Sequence, residues 1–254
     1  MKRLPRILLV DGDVLVYRCG FAVEKNTDWG NGLHTWHANI DEATPAVHKI
    51  IEELRDDLKA DKVIMALTCS DTPNFRKAFY PPYKENRASI RKPLLWKAIR
   101  EYIVKTYDVR IKPNLEADDI IGIMATMPDT GQERIMVSID KDFRSIPGRL
   151  YHMLEKQMRV ISEGAADRAF MTQVLTGDAT DHYPGLPGVG PKKAAAILEE
   201  CDGLSEMWQR ILVSYLAKGF TEADALVQAR CARILRFSDY DSKLKTPILW
   251  KGPE

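Results

Sequence analysis

Nine carboxylates decide what chemistry this chain of 254 residues could do. Glu116, Asp118 and Asp119 open an apolar segment in which Ile120, Ile121, Ile123 and Met124 supply a buried face, so the spacing predicts a helix over 116–126. Glu116 and Asp119 share one side of it, with Asp118 about 100° away. Acids suit a helix N-terminus, because the first N–H groups are unpaired and the macrodipole is positive there. A capped surface helix therefore accounts for the stretch as well as a metal site does. Three partly desolvated carboxylates nevertheless repel one another unless a cation neutralises them, and Mg²⁺ prefers oxygen ligands. Asp140 and Asp142 flank Lys141 at i, i+2, which on an extended chain aims both at one shared ion; a simple turn is the other reading. Asp178 and Asp181, at i, i+3, fall on one side of a helical turn, while Asp11 and Asp71 follow apolar runs.

Two cationic features accompany these acids. From Arg76 to Arg100 there are eight Lys/Arg and one acid, Glu85. Within that stretch Phe79, Tyr80 and Tyr83 interleave with Arg76, Lys77, Lys84 and Arg87, and Arg91 and Lys92 follow. Bases that stack and phosphates that are held require this mixture, and Pro81-Pro82 argues against a plain solvated helix. Behind Asp181 comes Gly185-Leu-Pro-Gly-Val-Gly-Pro-Lys-Lys-Ala194. Gly188 and Gly190 permit a tight turn, Pro191 suits a first helical position, and Lys192 and Lys193 add charge, the pattern of a helix–hairpin–helix that grips a phosphate backbone without reading sequence. It is not a nucleotide P-loop: Pro191 stands where the lysine belongs, no Ser/Thr follows the lysines, and no strand precedes.

The elements that must position these groups follow from periodicity. Residues 6–10 read as a strand buried on both faces, and helical spacing continues over 14–22. Residues 24–44 are polar and Gly-rich with Trp29 and Trp36, an insertion to which no role is assigned; His34 and His37 read as surface histidines, with no second ligand pair nearby. A helix is predicted over 45–58, a strand over 62–68, a helix over 92–107, a strand over 109–112 and a strand over 134–139, with a small strand pair at 150–153 and 158–161. This alternation predicts an α/β architecture with a mainly parallel central sheet flanked by helices, whose ligands gather at the carboxyl ends of strands. After Gly164 only helices are expected, over 165–175, 191–200, 204–217 and 221–237, before an irregular tail docked through Ile248, Leu249 and Trp250. The expected division is an α/β core over 1–164 with a short basic arch over about 75–100, an all-helical part over 165–237 with its hairpin at about 185–200, and a tail over 238–254.

Bulk properties exclude little. Charged residues at 29%, hydrophobic ones at 45% and a net charge of +1 describe an ordinary globular protein. The four cysteines form no C-x-x-C and read as thiols of a reducing compartment. No apolar run has the length of a membrane span, and the basic start leads straight into a strand rather than a signal peptide, so a cytoplasmic monomer is expected.

Taken in order, VDGD at 10–13, Asp71, YKENR at 83–87, EADD at 116–119, SIDKDF at 138–143, GDATD at 177–181 and GLPGVGPKKA at 185–194 resemble the flap endonuclease / 5′→3′ exonuclease family, and within it the short phage exonucleases, over nearly the whole chain. The resemblance implies a PIN/5′-nuclease-like fold and two-metal-ion phosphodiester hydrolysis with Mg²⁺, for which Mn²⁺ substitutes. It implies that Asp11, Asp71, Glu116 and Asp118 hold the first ion, with Asp119 bound directly or through water and counted with the catalytic groups. Asp140, Asp142, Asp178 and Asp181 would hold the second. Lys84 and Arg87 would contact the scissile phosphate, with Tyr83 stacking beside them and Arg91 and Lys92 extending the DNA contact. Gly188, Gly190, Lys192 and Lys193 would hold duplex DNA, with K⁺ at the hairpin, and RNA–DNA hybrids would also be substrates. Only 29 positions separate Arg87 from Glu116, short for an arch that threads a 5′ flap, so exonucleolytic trimming is expected ahead of long-flap cleavage. A non-catalytic DNA-binding protein and a toxin-like ribonuclease are the rival readings. The first does not need so many acids; the second does not explain the hairpin.

Overall fold

Apolar side chains of the first strand alternate between two cores, and the architecture grows from that alternation. The structure, a computed structural model, describes residues 3–128 and 131–253. Met1, Lys2 and Glu254, which fall within the expected core and tail, and Asp129 and Thr130 lie outside the described residues.

In chain order, β1 (Arg6–Asp11) leads into α1 (Gly12–Ala22), a hairpin of β2 (Lys25–Asp28) and β3 (His34–His37), α2 (Ile40–Asp57) and β4 (Lys62–Ala66). The basic stretch follows as two short 3₁₀ turns, then α3 (Trp96–Thr106), β5 (Val109–Arg110), α4 (Ala117–Ala125), β6 (Glu133–Ser138), β7 (Gly148–His152) and β8 (Gln157–Ile161). Six strands form one sheet in the order β5-β4-β1-β6-β7-β8, parallel except for the β7–β8 pair. β1 lies inside it, with Leu9 in register with Ile64 on one side and Met136 on the other. Leu8 and Val10 pack with α1, α2 and α3 through Leu15, Val16, Val47, Ile51, Ile99 and Ile103. Ile7 and Leu9 face the opposite way, onto Ile120 and Ile121 of α4. A sheet buried on both faces needs such continuous apolar strands.

α5 (Glu163–Thr176), α6 (Pro191–Ile197), α7 (Leu204–Leu216) and α8 (Glu222–Ala232) share a third core built on Phe170, Val174, Ile211, Tyr215 and Ala229. Tyr83, from the basic stretch, is buried in that same core.

Several boundaries differ from the periodicity reading. α2 starts five residues early because the Asn39 side chain accepts from the Asp41 N–H at 2.9 Å, and Pro45 is absorbed inside the helix. α8 stops at Ala232 rather than Phe237, since Arg233 turns extended and Ile234 and Leu235 drop into the core around α4. The insertion over 24–44 is an antiparallel hairpin pairing Lys25 with His37. The tail carries a second small pair, β9 (Tyr240–Asp241) with β10 (Thr246–Pro247). It docks through Trp250, edge-on to Phe170 and Trp208 at 5.3 and 4.7 Å, whereas Ile248 is exposed. The four cysteines are free thiols, and among the described residues no helix is long and apolar enough to cross a membrane.

Candidate active site

The start of α4 sets the first group of acids. Glu116 is its cap residue and stays extended, and its backbone N–H donates to Asp119 Oδ2 at 3.3 Å. Glu116, Asp118 and Asp119 each bring an oxygen within 4.8 Å of the other two. Burial raises the Asp118 carboxyl well above the ordinary range, and the charges of Asp119 and Glu116 add to the effect. Burial works the same way on Glu116, but the cations Lys84 and Arg76 outweigh it and hold that carboxyl low.

Asp140, Asp142, Asp178 and Asp181 form the second group. Asp140 caps the turn after β6, accepting from the Asp142 N–H at 2.9 Å. Asp178 and Asp181 lie on the loop after α5, which closes on itself where Asp178 bridges Tyr183. Two glycines make that closure possible. Gly177 and Gly185 have φ of +65° and +63°, and a Cβ on either would fall within 2.3 Å of backbone atoms. Lys141 Nζ reaches Asp178 at 3.2 Å, so the two turns touch. Asp142 is pushed up to about 7, first by burial and then by Asp140, with Asp178 and Asp181 contributing. Backbone N–H groups and Lys141 outweigh burial at Asp178 and keep it low.

Asp11, at the carboxyl end of β1, lies on the Asp140 side of the site. It caps α1 by accepting from Val14 N–H at 3.2 Å, and it accepts from Ser138 Oγ at 3.0 Å. Ser138 Oγ in turn accepts from the Asp140 N–H at 3.1 Å, tying the Asp140 turn to Asp11. Burial, then Asp13 and Asp140, push the Asp11 carboxyl up to about 7.

The basic stretch closes the site from above. Lys84 adopts a left-handed backbone (φ 55°), and its N–H donates to the Asp181 carbonyl at 2.8 Å. Lys84 Nζ lies 2.6 Å from Glu116 and 3.4 Å from Asp181, bridging the two groups of acids. Arg87 pairs with Asp181 as well. A non-glycine residue held left-handed stores strain that recurs at functional sites, and here it aims the ammonium.

Other expected contacts are placed differently. Tyr83 does not offer a face for stacking a base: it is 2% exposed, its ring lies against Tyr183, and its hydroxyl sits 3.1 Å from Glu116 and 3.0 Å from Asp181. Arg91 is held by both oxygens of Glu24 at 2.7–2.9 Å and lies between the rings of Phe21 and Trp36, so it anchors the β2–β3 hairpin. Lys92 lies over Trp96. Asp71 is exposed, with the Ser70 hydroxyl as its partner, and no contact joins it to the other acids. Gly188, Gly190, Lys192 and Lys193 are all exposed; Lys193 donates to the Gly188 carbonyl at 2.9 Å, and Lys218 reaches the Pro187 carbonyl.

Residues that motif reading passes over hold the site together. Ser138 is one. Gln173 on α5 is another, donating to Asp142 Oδ1 at 2.6 Å. Asp13 pairs with Arg100 at 2.7 Å and accepts from Thr68 N–H, binding the ends of β1 and β4 to α3. Arg76 stands in a run of exposed cations but is itself fully buried. Its one sequence signal is the aromatic neighbour Phe75, over whose ring it lies.

Acids from separate segments meet a cationic bridge near the carboxyl edge of a mainly parallel sheet, an arrangement suited to chemistry on a phosphodiester. Residues 6–173 match the 5′-3′ exonuclease N-terminal resolvase-like domain, and the chain belongs to that family. It is 28% identical to an exonuclease of Escherichia phage T7, over 96% of this chain and 93% of the relative, and 27% identical to an exodeoxyribonuclease of Enterobacteria phage T3, over 96% and 92%. The fold is shared with a flap endonuclease of bacteriophage T5 solved with DNA and metal ions, at a TM-score of 0.64 and 17% identity over 88% of this chain and 87% of that one.

Proposed function

We propose that the chain is a Mg²⁺-dependent 5′→3′ exonuclease acting on duplex or nicked DNA and on RNA–DNA hybrids, with flap incision as a lesser activity. The observation that carries this reading is the Lys84 bridge. One ammonium spans Glu116 of the first acid group and Asp181 of the second, so a phosphate held by Lys84 and Arg87 lies between both.

An all-oxygen donor set with two carboxyls raised to about 7 by burial, with neighbouring carboxylates adding to it, fits hard divalent cations. Asp11, Glu116 and Asp118 would hold one, with Asp119 behind them and Asp71 reaching it only through water; Asp140, Asp142, Asp178 and Asp181 would hold the other, and Mn²⁺ would replace Mg²⁺ at both. When bound, a pair of such ions activates a water and stabilises the leaving oxygen. Lys84 and Arg87 orient the phosphate, Gln173 and Ser138 hold Asp142 and Asp11 in place, and the exposed hairpin at Gly188–Lys193 grips the duplex. K⁺ at that hairpin would displace the Lys193 and Lys218 ammonium groups from the Gly188 and Pro187 carbonyls. The chain acts as a monomer with an α/β core over 1–164, a helical part over 165–237 and a tail over 238–254.

The test is cleavage of a 5′-labelled duplex, a nicked duplex, a flap and an RNA–DNA hybrid with Mg²⁺ or chelator. Mononucleotide release from the 5′ end with Mg²⁺ alone is expected. Asp142→Asn should abolish cleavage with DNA affinity changed only a few fold; turnover equal to the parent's would refute the reading.

A further inference from the structure

A guanidinium in a basic stretch belongs in water, yet that of Arg76 is 1% exposed. Its Nη1 and Nη2 each meet one oxygen of Asp119 at 2.8 Å, in the two-pronged geometry that suits arginine to carboxylates. Its Nε donates to the Cys231 carbonyl at 3.1 Å and its Nη2 to the Arg233 carbonyl at 2.6 Å, both at the end of α8. Asp119 is 0% exposed and equally committed. Oδ1 accepts from Arg76 and from Leu235 N–H at 3.2 Å; Oδ2 accepts from Arg76 and from Glu116 N–H at 3.3 Å. A carboxylate has about four lone-pair sites, and here all are taken by N–H donors. Glu116 and Asp118 are less fully engaged: Glu116 Oε2 accepts from the Tyr83 hydroxyl at 3.1 Å, Asp118 Oδ1 accepts from the Asp119 N–H at 2.7 Å, and Arg76 Nη1 passes 3.8 Å from Glu116.

We infer that Arg76 is a positioning residue for the divalent centre and that Asp119 serves as its counter-ion, not as a direct ligand. The pair pins three segments: the 3₁₀ turn after Asn74, the first turn of α4, and the strand-like exit of α8. Through the Glu116 N–H it fixes the cap from which Glu116 and Asp118 project. Lysine cannot replace the fork, because an ammonium lacks the planar, parallel N–H pair that meets both Asp119 oxygens while further N–H groups reach the two carbonyls. The inference rests on the cation-binding part of the proposed function, and the measurement separates the two.

Mn²⁺ binding is titrated without DNA by isothermal calorimetry, on the full chain and on Arg76→Lys, Asp119→Asn, Glu116→Gln, Asp118→Asn and the apolar double variant Arg76→Met/Asp119→Leu, each with a thermal unfolding curve. Arg76→Lys and the double variant should keep the number of ions bound but weaken Kd by about 10–100-fold, as loss of groups that orient ligands does. Asp119→Asn should also keep the number, whereas Glu116→Gln and Asp118→Asn should bind one ion fewer. In turnover, kcat of Arg76→Lys should recover at high Mg²⁺ with KM for DNA unchanged. Loss of one ion in Asp119→Asn would make Asp119 a ligand and overturn the inference; so would parental Mn²⁺ affinity in a folded double variant or in Arg76→Lys. If Glu116→Gln and Asp118→Asn bind Mn²⁺ as the parent does, the cation reading of the site itself fails. If the double variant does not fold, Arg76→Lys alone decides.

Discussion

Lys84 has its charge where the acids of both groups meet, and its neighbours set what its loss would do. Glu116 and Asp181 oppose the burial of its ammonium and keep its pKa above the ordinary lysine value, so it remains a cation at any working pH. Lys84→Ala should therefore lower kcat by about 10²-fold or more, as removal of a preorganised charge at a reacting centre does, while duplex affinity falls only a few fold; a loss confined to affinity would show that Lys84 only binds. Asp11 and Asp142 give a pH signature. Both carboxyls are raised to about 7 in the fold from an unfolded value near 3.8. Each holds its proton more tightly folded than unfolded, so the stabilisation is complete below about pH 4 and is lost as the pH rises to about 7. In chelator, thermal stability should fall from pH 5 to pH 8, and Asp11→Asn should flatten the fall. Mg²⁺ should raise the melting temperature more at pH 8 than at pH 5. A melting temperature in chelator that rises over that interval would contradict the assigned environments.

At the scale of elements, the loop after α5 depends on its glycines. Replacing Gly177 or Gly185 with alanine places a Cβ 2.2–2.7 Å from backbone at a left-handed φ, so each should cost more than about 2 kcal/mol in urea unfolding. Gly188→Ala, whose Cβ meets nothing closer than the tip of Lys218 at 3.4 Å, should cost less despite its φ of +75°. β1, β4, β6 and α4 were legible because a strand buried on both faces is a nearly unbroken apolar run, and Asp11 ends β1 while Asp140 closely follows β6. The carboxylate motifs were legible too, since their spacing survives whatever the backbone does between them. Less visible was whether a charged side chain turns inward. Arg76, Tyr83 and Arg91 lie in one basic aromatic run, yet the first two are buried and the third is clamped by Glu24. Only the fold brings Asp119, Glu116 and Glu24 to them across 43, 33 and 67 positions. The early end of α8 was hidden for the same reason: Arg233 to Leu235 continue a helical apolar pattern, and they leave it because the core around α4 needs Ile234 and Leu235.

For the whole molecule, a net charge of +1 means that non-specific attraction to DNA must come from local patches. Binding should lose affinity log-linearly with salt, and Lys192→Ala or Lys193→Ala should each reduce the slope by about one. An unchanged slope in both would place the duplex elsewhere. The path of the chain after α8 carries a larger consequence. Cys231 and Arg233 supply carbonyls to Arg76, and Leu235 supplies an N–H to Asp119. The polypeptide thus returns, after more than a hundred residues, to complete the footing of an acid encoded near its midpoint. The segment over 6–173 that carries the family signature is consequently no free-standing module. Excised or grafted onto another protein, it would leave Arg76 facing empty space where two carbonyls belong, and the catalytic edge would lose its shape even though every acid before the cut were retained.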